Sequence, residues 1–247
     1  MAQPDVYLSV IVPAYNESER IEKTLRRFNE YLFPQPYNYE IVVVNDGSRD
    51  ATADIVACLG GEIKNLRLVD RTENKGKGYT VREGMLASRG KIRLFADADN
   101  ATDISHFEKM RPLFDQGYEV VIASRDPRDA PGARQAVSQS WWKRMLGAMG
   151  NRYIQYLAVR GIWDTQCGFK AFRGHAAEQL FGVSRVDRWA FDVEILALTR
   201  RLNFKIGIIP AYWVNDPKTH VTLSGYLKSL WEVFKIHQNL KYHRYQI

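Results

Sequence analysis

From the N-terminus to about residue 125, short apolar runs alternate with stretches whose apolar residues recur every three to four positions. Leu8 to Val12, Tyr39 to Val44, Leu66 to Val69, Lys91 to Ala96 and Glu119 to Ala123 are rich in Val, Ile and Leu without polar alternation. Runs of that kind predict strands buried on both faces of a parallel sheet. Between them, Ser18 to Leu32 carries Ile21, Leu25, Phe28 and Leu32 as a helical stripe, and Asp50 to Leu59, Gly76 to Ser88 and His106 to Phe114 predict further helices. The pace is that of βα units, so the expected fold is α/β with a mostly parallel sheet flanked by helices. A ligand is then expected outside the carboxyl ends of the strands.

After Arg125 the rhythm breaks. Asp126 to Gln139 is polar, with Pro127, Pro131 and Gly132, and predicts a mobile loop. Trp141 to Trp163 predicts a helix with Met145, Leu146, Met149, Tyr153, Tyr156, Leu157 and Val159 set among Lys143, Arg144, Arg152 and Arg160. Trp189 to Leu202 reads as a helix and Lys205 to Ile209 as a strand. Leu223 to Tyr242 repeats the aromatic-and-basic pattern, with Tyr226, Leu227, Leu230, Trp231 and Phe234 against Lys228, Lys235 and Lys241. Either helix alone fits a core or a bilayer surface equally; two in one small protein favour the surface. The expected organisation is a catalytic domain over 1–211, holding the loop and first amphipathic helix within 125–163, followed by an interfacial helix in 212–247.

No run approaches 18 apolar residues, and the start of the chain, with Asp5 and the short run into Pro13, lacks signal-peptide character. The two cysteines, Cys58 and Cys167, lie in no metal-ligand spacing, so a reduced cytoplasmic protein is expected. A net charge of +7 and a pI near 9.3 fit a merely basic surface or a polyanionic partner, whether nucleic acid, anionic lipid or a phosphorylated substrate, and the basic residues interleaved with Trp and Tyr after position 125 shift the balance towards a partner.

The chemistry sits at two strand ends. Asp97-Ala98-Asp99 closes the run at Ala96, and Asn45-Asp46-Gly47-Ser48 closes the run at Val44. A lone Asp-x-Asp is weak, since average usage of charged residues gives on the order of one per chain of this length. With a second strand-end acid it marks a place where a hard cation and a diphosphate would meet, because such cations take oxygen ligands. Gly-Lys-Gly at 76–78 opens a helix whose N-terminus suits phosphate. The same residues serve as turn and cap groups in many proteins, and Asp-Gly is a turn signal anywhere. A dinucleotide oxidoreductase is disfavoured, because Pro13-Ala14-Tyr15-Asn16 stands where G-x-G-x-x-G belongs. A basic binding module would leave the strand-end acids without a purpose.

The runs L-S-V-I-V-P-A-Y-N-E at 8–17, V-V-N-D-G-S-R-D-A-T at 43–52, N-K-G-K-G at 74–78 and A-D-A-D at 96–99 resemble the family 2 glycosyltransferases of GT-A fold. D-T-Q-C-G-F-K-A-F at 164–172 and R-W-A-F-D-V-E-I-L at 188–196 resemble the dolichyl-phosphate β-glucosyltransferases in particular. The resemblance implies inverting transfer of a sugar, glucose from UDP-glucose first, to a polyprenyl phosphate, on the cytoplasmic face of a membrane and with no nucleic acid partner. It implies Mg²⁺ or Mn²⁺ on Asp99 and Asp97, with Asp97 also at the ribose, and Pro13, Tyr15, Glu17, Asp46, Lys75 and Gly76 around the nucleotide. Gln166, Arg188, Trp189 and Asp192 lie in the family's second block and are implied at the sugar and acceptor, while Arg125, at the end of the fifth run, is expected to hold the acceptor phosphate because a guanidinium can grip a phosphate bidentately. The transmembrane anchor of the eukaryotic members does not precede Leu8, so peripheral attachment is expected. A GDP-mannose-using relative is the alternative, but Ala101 stands where that branch places an amide ligand. A processive synthase is disfavoured because its Gln-x-x-Arg-Trp signature reads Arg185-Val186-Asp187-Arg188-Trp189 here.

Overall fold

The computed structural model describes residues 5–135, 141–213 and 223–247. The end of the predicted loop, 136–139, and the side chains of 141–146, with Lys143, Arg144, Met145 and Leu146 of the amphipathic pattern, lie outside the described residues. The predicted strands form β1 (Leu8–Ala14), β2 (Tyr39–Asp46), β3 (Leu66–Arg71), β4 (Ile92–Ala96) and β5 (Val120–Ser124). Helices α1 (Ile21–Leu32), α2 (Thr52–Leu59), α3 (Lys77–Ala87) and α4 (Phe107–Asp115) connect them, the last entered through a 3-10 turn at Ile104–His106. A two-residue strand β6 (Arg134–Gln135) and α5 (Trp141–Leu157) follow, then β7 (Phe169–Arg173), α6 (Gly174–Val183), α7 (Phe191–Arg201), β8 (Ile206–Pro210), β9 (Tyr212–Trp213) and α8 (Leu223–Lys241).

The seven-stranded sheet runs β3-β2-β1-β4-β7-β5-β8, with β6 and β9 paired separately. The sheet is not parallel throughout. β7 lies between β4 and β5 and is antiparallel to both, with Leu94 and Val121 each opposite Ala171. Alternation along β7 explains why it can sit there: Phe169 and Ala171 enter the core cluster under α1 and α4, while Phe172 enters the second cluster with α6 and α7. Lys170 shares the face of Phe172 and is nonetheless buried, at 1% exposure.

α5 ends at Leu157 rather than Trp163. α8 buries Val233 and Ile236 in the same cluster as α7, and leaves Leu227 and Trp231 more than half exposed. No helix among the described residues is long and apolar enough to cross a membrane.

Candidate active site

The carboxyl ends of β1, β2 and β3 bound a cleft of about 470 Å³ lined by Tyr15, Gly47, Ser48, Arg49, Thr72, Glu73 and Asn74. Side chains stitch its rim together. Ser48 Oγ accepts from the Asn16 amide at 2.9 Å, Asn16 Oδ1 accepts from the Arg49 amide at 2.9 Å, and Thr52 Oγ1 accepts from the Glu17 amide at 2.8 Å. Pro13 is buried inside β1 opposite Val44, so it shapes the strand while Tyr15 reaches the cleft.

Asp46 does not point a free carboxylate into that cleft. Its Oδ1 accepts from Arg71 Nη2 at 2.5 Å and the Lys75 amide at 2.8 Å, and Oδ2 accepts from the Gly76 amide at 2.9 Å. In this arrangement it fixes the turn that starts α3. Gly76 is at φ +101°, and a Cβ there would stand 2.5 Å from the Asp187 carbonyl oxygen, so only glycine fits. Lys75 is exposed, its ammonium 4.8 Å from the Tyr79 ring.

β4 ends at the two acids. Thr24 of α1 donates to the Ala98 carbonyl at 2.7 Å, holding the loop down, and Asp99 Oδ1 accepts from the Ala101 amide at 3.0 Å. Burial first, and then the neighbouring Asp97, push the Asp99 carboxyl up. Glu17 is raised too, by burial most of all, against its pair with Arg20 and with Asp99 and Asp97 adding repulsion.

Lys77, the first residue of α3, answers this negative field. Its ammonium lies 2.7 Å from Asp97 Oδ1 and over the rings of Phe95 and Trp189 at 5.4 and 5.7 Å. Burial works against its charge, but Asp97, Asp192 and Asp99 outweigh it and raise its pKa. Sequence reasoning selected Lys75 and Gly76 from this motif and missed Lys77. A signal existed: a cation at a helix N-terminus opposes the helix dipole, and a broken local rule marks a functional position.

Asp192, in the first turn of α7, is buried and accepts from Lys170 Nζ at 2.5 Å. Burial raises its carboxyl despite Lys170 and Lys77. Arg125 grips Asp164 through Nε at 2.7 Å and Nη2 at 2.8 Å, while its amide donates to the same carboxylate at 2.8 Å. Gln166 is exposed on the loop between Asp164 and Gly168, and Arg188 and Trp189 are exposed above α3. The structure thus gathers Glu17, Lys77, Asp97, Asp99, Arg125 and Asp192 at one strand end, and turns Asp46 inward.

Gly168 abuts the acids so closely that a Cβ would fall 1.9 Å from Asp97 Oδ2. Gly168→Ala is expected to displace the Asp97 carboxylate and cut turnover by about a hundredfold, the cost of roughly a 1 Å misplacement. Steady-state kinetics beside an unchanged circular-dichroism spectrum checks it.

The model for glycosyl transferase family 2 matches residues 9–181, from β1 into α6. The chain belongs to that family. Curated proteins similar to it include dolichyl-phosphate beta-glucosyltransferase ALG5D of Trichomonas vaginalis, 36% identical over 95% of this chain and 74% of its own length. The Drosophila melanogaster dolichyl-phosphate beta-glucosyltransferase is 38% identical over 89% of this chain and 70% of its own, and the Homo sapiens enzyme 35% over 85% and 68%. Among solved structures, mannosyl-3-phosphoglycerate synthase from Rubrobacter xylanophilus superposes at TM-score 0.71 and 15% identity, covering 98% of this chain and 76% of that one. Glucosyl-3-phosphoglycerate synthase from Mycobacterium tuberculosis, crystallised with Mn²⁺, UDP-glucose and phosphoglyceric acid, superposes at 0.70 and 17%, covering 94% and 80%. At those identities the two structures speak for the fold alone.

Proposed function

We propose that this family 2 glycosyltransferase moves glucose from UDP-glucose to a polyprenyl phosphate, with inversion, on the cytoplasmic face of a membrane. The carrying observation is the cluster of Asp97, Asp99, Lys77 and Asp192 beside a cleft of about 470 Å³, which is in the size range of small-molecule sites. The names of the relatives point to the same sugar and to a dolichyl-phosphate acceptor. The unpaired Cys58 and Cys167 suit a reducing compartment.

The residues present fit a divalent cation. Asp97 and Asp99 crowd two carboxylates together, and Asn100 Oδ1 is buried with no hydrogen-bond partner among the described residues. Asp99 and Asp97 would hold Mg²⁺ or Mn²⁺, which when bound supplies charge neutralisation for a departing diphosphate. Lys77 and the N-terminus of α3 add positive potential on the same side. Tyr15 and the rim of the cleft would seat the nucleoside.

A phosphate monoester with a second pKa near 6 is mostly dianionic at neutral pH. One of its oxygens attacks the anomeric carbon; the bond from that carbon to the UDP oxygen breaks, and the electron pair leaves with UDP. No proton has to be removed, so no general base is required. Asp192, held by Lys170, is then a partner for sugar hydroxyls. One displacement inverts the centre and gives a β-linked lipid-phosphate glucose.

Incubation with UDP-[¹⁴C]glucose and polyprenyl phosphate is expected to move label into organic extracts, with little transfer from GDP-mannose. Absence of extractable label overturns the reading. Attachment to the surface is assigned to α8, where Trp231 and Phe234 stack at 5.4 Å and Lys228, Lys235 and Lys241 lie on the same helix. Each basic side chain contributes about 1 kcal/mol near an anionic surface. Binding to anionic vesicles should fall with salt, and replacing both Trp231 and Phe234 by Ser should reduce co-sedimentation. Wild-type protein that ignores such vesicles at low salt defeats this assignment.

A further inference from the structure

The segment 184–190 that carries Arg188 and Trp189 has no regular structure of its own, yet it is held from two sides. On the inner side it lies against α3: the Asp187 carbonyl accepts from the Tyr79 amide at 3.1 Å, and Trp189 covers Lys77, which pairs with Asp97. On the outer side two carboxylates anchor its backbone. Glu194, fully buried in α7, accepts from the Arg185 and Val186 amides at 3.0 and 2.9 Å and from the Tyr245 hydroxyl at 2.7 Å. Glu232, on α8, accepts from the Ala190 amide at 3.1 Å.

Glu232 is the next residue after the exposed Trp231 and precedes the buried Val233. Its carboxylate therefore reaches inward from the edge of the exposed stripe. The amide it takes belongs to the residue between Trp189 and the first turn of α7, where Asp192 stands. A short path thus runs from the outer face of α8 through Glu232 and Ala190 to Trp189, Lys77 and Asp97.

We infer that Glu232 is a positioning residue: it fixes the Arg188–Trp189 segment over the acceptor side of the site and makes α8 and that segment one mechanical unit. This inference rests on the transferase reading for its kinetic consequence, but not for its structural one. A helix seated on a lipid surface would then present the site to a lipid-borne phosphate in a set orientation, and the same contact orders the side chains that meet the acceptor.

The test compares Glu232→Ala and Glu232→Gln in the full chain. Glutamine keeps a carbonyl acceptor for the Ala190 amide, while alanine does not. Hydrogen exchange without substrates is expected to show faster exchange at 185–190 in Glu232→Ala and near wild-type exchange in Glu232→Gln. With a short-chain polyprenyl phosphate, the KM for acceptor should rise about tenfold in Glu232→Ala, the scale of one ordinary hydrogen bond. The KM for UDP-glucose and vesicle co-sedimentation should stay at wild-type values, and Glu232→Gln should restore the acceptor KM. Unchanged exchange at 185–190 in Glu232→Ala overturns the inference, as does a Glu232→Gln variant as impaired as alanine. A wild-type protein that glucosylates no polyprenyl phosphate defeats the transferase reading instead, and the exchange comparison still decides the role of Glu232.

Discussion

Asp99→Asn is expected to abolish measurable sugar transfer while leaving the fold at least as stable as the wild type. An amide oxygen is a far poorer ligand for a hard cation than a carboxylate. Loss of several kcal/mol of charge stabilisation in the transition state corresponds to a fall in kcat/KM of about a thousandfold. The stability side follows from the local field. Burial and Asp97 raise the Asp99 pKa, so its ionised form costs folding free energy at neutral pH. A group with a raised folded pKa binds its proton more tightly in the native state, so this cost is present above the folded pKa and disappears below the unfolded value near 4. Asparagine keeps an oxygen for the Ala101 amide and carries no charge, so the variant should melt at or above the wild-type temperature at pH 7 and converge with it in acid. Calorimetric Mn²⁺ titration in the presence of UDP should show binding to the wild type and none to the variant. Wild-type turnover in excess chelator would remove the cation from the mechanism.

The βα rhythm was legible because its strands are apolar on both faces, and the strand-end acids could be placed from it. β7 was not legible, for a physical reason: Phe169-Lys170-Ala171-Phe172 contains a lysine, and a buried lysine is acceptable only when a counter-charge pairs with it, which the run itself does not reveal. That partner, Asp192, comes 22 residues later. Charge pairing explains most of what the sequence hid at the site. Asp46 with Arg71 and Lys77 with Asp97 join different elements that no periodicity pairs, while Asp164 is legible as the partner of a nearby arginine without the sequence showing that it is Arg125. Apolar patterning reports which face is buried; it does not report which cation a buried acid will meet. Glu194 and Glu232, which hold the segment carrying Trp189, were hidden for the same reason, since each acts on a backbone amide rather than on a patterned side chain.

The Arg125–Asp164 pair yields the other large effect. The two side chains are 21% and 9% exposed, and the guanidinium meets the carboxylate through two nitrogens. Burial pushes the Asp164 carboxyl up, but Arg125 outweighs it and holds the pKa below the usual range. A depressed carboxyl contributes stability that is present above the unfolded pKa near 3.9 and is lost as pH falls through the folded value. Arg125→Ala leaves that carboxylate buried without its main counter-charge, and the expected cost is about 3–5 kcal/mol at pH 7. The gap to wild type should narrow in acid, where protonation relieves the uncompensated charge; denaturant unfolding at pH 7 and pH 4 measures it. Arg125 was selected from the sequence as the acceptor-phosphate ligand, and its pairing with Asp164 makes a second variant necessary. Arg125→Met combined with Asp164→Asn removes both charges while keeping an oxygen for the Arg125 backbone amide. That double variant should recover most of the stability. If Arg125 also meets the acceptor phosphate, the KM for polyprenyl phosphate stays raised at least tenfold, about 1.4 kcal/mol of lost binding, while the KM for UDP-glucose returns to wild type. Recovery of both KM values along with stability would confine Arg125 to holding the loop that carries Gln166 and Gly168 against the acids.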